Sequence, residues 1–309
     1  MAESRMSEHF QRFLAGARTA LRPLVPKRFR GDIPVVPVVR LSGVIGFSTP
    51  LKPGVTIAGM ARPLERAFNM RNARAVALVI NSPGGSPVQS HLIYRRIRQL
   101  AEEKKRPVIA FVEDVGASGG YMVACAADEI ICDVSSIVGS IGVVGGSFGF
   151  PKLMERLGIE RRLYTAGEHK ATLDPFLPEN PEDVERLKAL QTEIHRGFID
   201  LVKQSRGARL QGPEKTLFSG EYWSGTKAIE LGLADGIGDL RSTLRARFGD
   251  KVVTPLIAAD RSLFGRVRPG IGLDEIGPGG FSPLSHGAEL AGGIISALEA
   301  RALWARYGL

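Results

Sequence analysis

Strand-like runs recur along the chain at 34–40, 75–80, 107–112, 129–132 and 160–164, most of them rich in Val and Ile and too short for buried helices. Between and after them, segments near 55–70, 87–104, 118–127, 151–157, 184–205 and 225–231 carry helix-like patterns. The longest is the clearest: Val184, Leu187, Leu190, Ile194, Phe198, Leu201 and Val202 follow helical spacing. Strands alternating with helices predict an α/β domain with a largely parallel sheet. Composition then shifts beyond about residue 250. Residues 264–281 are rich in Gly and Pro and read as a linker. After it, Leu290, Ile294, Leu298 and Ala302 recur at helical spacing and end in Trp304 and Tyr307. Such a stripe is expected to pack on the body or on another subunit, with a lipid surface as the alternative. The expected organisation is an N-terminal segment at 1–32, a body at 33–250, and a linker with a C-terminal helix at 251–309.

Two glycine turns interrupt this pattern where strands hand over to helices. Asn81-Ser-Pro-Gly-Gly-Ser-Pro87 follows the run at 75–80, and Gly116-Ala-Ser-Gly-Gly-Tyr121 follows the run at 107–112. A strand-to-helix turn presents free backbone N–H groups and the positive end of a helix dipole. Ser118, at the mouth of the second turn and facing the first, has what acyl transfer needs: a nucleophile and donors for a developing oxyanion. Taken singly, each turn reads as a tight connection packing small residues on a sheet; the pair points to catalysis.

A base is then required. Of the five histidines, His9 and His286 lie in the terminal segments, His91 falls among Tyr94, Arg95 and Arg96 on a helix, and His195 lies beside the stripe of 184–205, where a surface or partner-facing role is expected. The loop Tyr164-Thr-Ala-Gly-Glu-His-Lys-Ala-Thr-Leu-Asp-Pro-Phe176 holds His169 beside Lys170, with Asp174 four residues on. Two readings compete: a Ser118–His169–Asp174 triad and a Ser118–Lys170 dyad. A lysine serves as general base when burial and cationic neighbours bring its pKa down from about 10.4. The residues alone do not choose between them.

The 309 residues suffice for one sizeable core with appendages, and 44% hydrophobic with 24% charged residues is ordinary for a water-soluble fold. The net charge of +9 gathers at the N-terminus, where Arg5, Arg12, Arg18, Arg22, Lys27, Arg28 and Arg30 face only Glu3 and Glu8 within residues 1–31. With Phe10, Phe13, Leu14, Ala17, Leu21 and Leu24 on one face, this segment reads as a peripheral membrane-surface element, a solvated helix packed on the body being the alternative. A transit peptide is disfavoured by the paired acids. No stretch reaches the roughly eighteen apolar residues of a spanning helix. Nucleic acid is not expected as a partner, because the core motifs lack a basic stripe interleaved with aromatics. Cys125 and Cys132 fit no disulfide framework or zinc pattern and read as buried, reduced thiols, compatible with the cytoplasm; no metal and no cofactor is implied.

From about Val35 to Phe248 the chain resembles the signal peptide peptidase (protease four) family of serine peptidases. The likeness rests on the Asn-Ser-Pro-Gly-Gly-Ser turn at 81–86, Ala-Ser-Gly-Gly-Tyr at 117–121, Ala126-Ala-Asp-Glu-Ile130, Val138-Gly-Ser-Ile-Gly-Val143, the lysine loop at 164–176, and the run from Phe218 to Gly238, all in family order. The resemblance implies the Clp-protease/crotonase-like fold of repeated β-β-α units. It implies Ser118 as nucleophile, Lys170 as general base, Ser140 as the lysine's orienting partner, and an oxyanion hole from the amides of Gly85 and Gly119. It further implies extended, apolar peptide substrates, such as signal-peptide remnants or unfolded segments, and homo-oligomeric rings in which the dyad forms across a subunit boundary. Many family members carry an N-terminal anchor that is not evident here. A Ser-His-Asp peptidase of the Clp type is a weak rival, since residues 135–150 hold no histidine. A crotonase-like acyl-CoA enzyme using Glu113 or Asp114, and an inactive membrane-associated scaffold, are the remaining alternatives.

Overall fold

The computed structural model describes residues 33–46 and 54–258, together with Trp304, Ala305 and Tyr307. The basic N-terminal segment, His9, His286, the linker at 264–281 and the stripe from Leu290 to Ala302 lie outside the described residues.

Three apolar strands form the centre: β1 (Val38–Ser42), β2 (Val76–Ser82) and β3 (Val108–Ala117). They pair in parallel, with Val39 opposite Leu78 and Leu78 opposite Ala110. Near-continuous Val and Ile suits strands covered on both faces. The period of two sends Leu41, Leu78, Ile80, Ala110 and Val112 to one face and Val38, Ala77, Val79, Ile109 and Phe111 to the other. On the first face pack helices α1 (Ile57–Asn69), α2 (Pro87–Lys104) and α3 (Gly119–Ala124), through Leu64, Phe68, Ile93, Ile97 and Val123.

β3 forks. Its residues Ile109–Val112 pair with β4 (Glu129–Cys132), while Val115–Ala117 pair with β5 (Ile137–Gly139). The fork coincides with a register shift against β2 between Ile80 and Ser82. Asn81 fills it: its amide nitrogen donates to Asp114 Oδ2 at 2.5 Å, and its oxygen accepts from the Val115 amide at 3.3 Å. The ends of β2 and β3 are thereby held side by side, and both glycine turns open at the same edge.

The remaining chain wraps this centre. Helix α4 (Pro151–Arg156) buries no side chain, and α5 (Pro181–Arg206) adds Phe198, Leu201 and Val202 to the core. Asn180 caps α5, with Pro181 at the first helical position. After α6 (Glu214–Leu217) come β6 (Tyr222–Ser224), antiparallel to β5, then α7 (Gly225–Glu230), β7 (Gly236–Ile237) beside β4, and α8 (Leu240–Phe248), whose Leu244 covers the second sheet face. β8 (Leu256–Ile257) pairs with β1, so the sheet runs to Ile257, past the expected boundary at 250. The path of the sheet is β6-β5-β3-β2-β1-β8, with β4 and β7 branching from β3.

The α/β class with a largely parallel sheet is what the chain forms. One expected strand is not: 160–164 forms no strand or ladder, in a stretch from 142 to 180 that is mostly exposed. Its polar residues Glu160, Arg161 and Arg162 offer no apolar face for a sheet to bury. The helix expected at 118–127 is shorter, Gly119–Ala124. Cys125 and Cys132 are free and buried, as expected, and burial pushes their thiols up to about 12 and about 11.

Candidate active site

Ser118 follows the last residue of β3 and occupies the N-cap position of α3, without a side-chain capping bond, at φ 52° and ψ −122°, a conformation that a non-glycine residue rarely adopts. Its amide donates to the Gly139 carbonyl at 2.8 Å, which ties the turn to the end of β5. Behind it, α3 is anchored by Tyr121, whose hydroxyl donates to the Leu233 carbonyl at 2.9 Å. The serine thus stands on a strained turn whose foundations are buried.

The first glycine turn packs directly on it. A Cβ at Gly84, where φ is +102°, would lie 2.7 Å from Ser118 Cβ and 2.8 Å from the Gly119 nitrogen. A Cβ at Gly85 would lie 2.1 Å from the Ile45 carbonyl oxygen. The turn is held on its far side by the Ile45 amide donating to the Gly84 carbonyl (2.8 Å) and the Ser86 amide donating to the Ile45 carbonyl (2.8 Å). Ser86 then caps α2, its hydroxyl accepting from the Gln89 amide at 3.4 Å. Within this network the amides of Gly85 and Gly119 have no acceptor among the described residues. A pair of unbonded backbone donors beside a serine hydroxyl at a helix start is an arrangement suited to an oxyanion.

Ser140 lies one residue beyond β5, buried, with φ 54°. Its amide donates to the Glu221 carbonyl at 2.6 Å. The next residue is braced by His195, whose Nε2 sits 3.0 Å from the Ile141 carbonyl and must carry the proton to meet that acceptor. His195 is half-buried and faces the Ser140 turn, a contact that the helical pattern does not foretell. The sequence concealed it because one residue beside an apolar stripe does not reveal what packs there.

The fold brings Ser118, Gly119, Gly85 and Ser140 together. Lys170 is not among them. It is exposed on the arm formed by residues 142–180, and its ammonium makes no hydrogen bond or ion pair among the described residues. His169 is exposed on the same loop, and Asp174 is committed elsewhere: the Phe176 amide and the Arg161 guanidinium hold its carboxyl below the usual carboxylate range. A triad with Ser118 is not assembled in the chain. Glu113 pairs with Arg40, and Asp114 accepts from Asn81, so both carboxylates serve the fork in β3.

One contributor was not assigned from the sequence. Tyr307, expected only to pack, brings its hydroxyl to 3.3 Å from Ser140 Oγ and lies with Trp304 against Val115 and Ala117. Among the described residues no group of His, Cys, Asp and Glu side chains is arranged to hold a metal ion, and no helix is long and apolar enough to cross a membrane.

The serine on a strained strand-to-helix turn faces a glycine turn whose amides are unbonded among the described residues, an arrangement suited to acyl transfer, and comparisons with known proteins give the family. Residues 100–251 match the family model described as Peptidase family S49. A Synechocystis sp. protein whose name describes it as a candidate protease is 31% identical over 202 residues, 63% of this chain and 72% of that one. The chloroplastic serine protease SPPA of Arabidopsis thaliana is 33% identical over 211 residues, 66% of this chain and 31% of that one. A Brucella abortus protein named as the Na+/H+ antiporter NhaA is 57% identical over 290 residues, 94% of this chain; the chain spans only 39% of that protein's length. The chain belongs to peptidase family S49.

Proposed function

We propose that this chain is an endopeptidase working through a Ser118–Lys170 dyad completed between subunits. The free amine of Lys170 takes the Ser118 proton as the hydroxyl attacks a peptide carbonyl, the Gly85 and Gly119 amides hold the oxyanion, and the ammonium then protonates the leaving amine. Water releases the acyl-enzyme by the same route. The observation that carries the reading is the serine at φ 52° beside two glycine amides that are unbonded among the described residues. A strained side chain at the head of a helix is retained where strain has a use.

The position of Lys170 supports completion by a second copy. Its arm exposes Val144, Phe148, Leu153, Leu157, Ile159 and Tyr164, with Phe148 at 81% and Tyr164 at 89%. So large an apolar surface on one projecting segment suits burial against a neighbouring subunit. Substrates are extended apolar peptides, of the kind left by signal-peptide removal or offered by unfolded chains. The likeness to antiporter-named proteins and the basic composition of residues 1–31 support work beside a membrane; flotation on anionic vesicles, with and without residues 1–31, checks this, and equal recovery of the two removes it.

The reading is tested by cleavage of a fluorogenic apolar peptide by the wild type, Ser118→Ala, Lys170→Ala and His169→Ala, with oligomeric state measured in parallel. Activity should fall by about 10³-fold or more in the first two and persist in the third. Loss in His169→Ala with survival of Lys170→Ala would overturn the dyad.

A further inference from the structure

The Ser140 turn is held by its backbone on two sides, through Glu221 and His195, but neither contact touches the Ser140 hydroxyl. Among the described residues only Tyr307 does. Its ring is buried on Val115 and Ala117, the residues that lead β3 into Ser118, and meets Tyr222 of β6 edge-on with centroids 4.9 Å apart. Its hydroxyl lies 3.3 Å from Ser140 Oγ and 3.5 Å from the Pro83 carbonyl oxygen, both long contacts. Pro83 belongs to the glycine turn that holds Gly85. Tyr307 therefore bridges the turn carrying Ser140 and the turn carrying one oxyanion donor, while its ring supports the strand carrying the serine.

The direction of these contacts follows from the groups. A phenol has one proton, and a carbonyl only accepts. The Tyr307 hydroxyl donates to Ser140 Oγ, the shorter of its two contacts, which occupies one Ser140 lone pair, fixes the oxygen in place and leaves the second lone pair free. That lone pair is what an ammonium needs. A free hydroxyl could instead turn its proton toward the amine and engage the lone pair that must act as base.

We propose that Tyr307 is a positioning residue, which holds the Ser140 hydroxyl as an acceptor for the Lys170 ammonium and links that turn to Pro83. The proposal rests on the Ser118–Lys170 reading.

Tyr307→Phe in the full chain removes the hydroxyl and keeps the ring. On the fluorogenic apolar peptide we expect kcat to fall about tenfold with KM unchanged, the size of one misplaced hydrogen bond, and the unfolding midpoint to stay near that of wild type. The same substitution made in Ser140→Ala should cost nothing further, because the two hydroxyls act as a unit. An unchanged kcat in Tyr307→Phe, or an equal loss in both backgrounds, overturns the proposal. So does faster cleavage by Tyr307→Phe, which would make the tyrosine a plug in the cleft. Should Ser140→Ala cleave like wild type, the role of Ser140 falls and this proposal with it, while loss in Ser118→Ala and Lys170→Ala would leave the dyad standing.

Discussion

At Ser118 the backbone conformation and the chemistry are in opposition. A non-glycine residue in a sparsely populated region costs about 1–3 kcal/mol, and glycine there would return most of it, less about 0.5–1 kcal/mol for its freer unfolded chain. Ser118→Gly is therefore expected to be more stable than wild type by about 1 kcal/mol in urea unfolding while losing peptidase activity. A variant less stable than wild type would remove the strain from the account. Gly84 makes the complementary point, since a Cβ there meets Ser118 Cβ at 2.7 Å. The two motifs need glycine and serine because their turns touch.

At the scale of elements, the end of α5 is fastened to the segment before β7 by charge. Arg206 is fully buried and grips Asp235 through two hydrogen bonds, at 2.7 and 2.8 Å, while its Nε donates to the Gly232 carbonyl at 2.8 Å. Asp235 also accepts from the Ile130 amide of β4 at 2.7 Å. Burial works to raise the Asp235 carboxyl, but the Arg206 and Ile130 donors overcome it and hold it below the usual carboxylate range. A carboxyl held low in the folded state contributes stability above its unfolded value of about 3.9. That contribution is lost as pH falls through the lower folded value. Asp235→Ala should cost about 3 kcal/mol at pH 7 by leaving a buried guanidinium unpaired. The gap to wild type should narrow towards pH 3 in urea unfolding; an equal gap at both pH values would show that the charge is not the cause.

For the whole molecule, the proposed nucleophile and its proposed base lie on parts of different character. Ser118 sits on the buried sheet, whereas Lys170 rides on an exposed arm whose apolar side chains are uncovered. A dyad completed by a neighbour makes activity depend on assembly. Mixing Ser118→Ala with Lys170→Ala subunits should restore about a quarter of wild-type activity, because a random mixture pairs an intact serine with an intact lysine at one junction in four. No recovery in verified mixed oligomers would return the dyad to a single chain.

Much of this was legible in the chain itself. Strand runs such as 75–80 and 107–112 carry their burial in their composition, and the two glycine turns announce themselves because few residues other than glycine tolerate such close backbone approaches. Family order of the motifs singled out Ser118, Lys170 and Ser140 as candidates. The short strands β5 to β8 were not legible, since two or three residues carry no periodicity and exist only where a neighbouring edge accepts them. Nor was the Arg206–Asp235 pair, the turn to His195, or the approach of Tyr307 to Ser140, each of which joins residues far apart in sequence. Local propensity and pattern thus determine which segments become strands, helices and turns. Only the tertiary structure decides which distant side chains meet, because that depends on how the segments pack, a property no single segment contains.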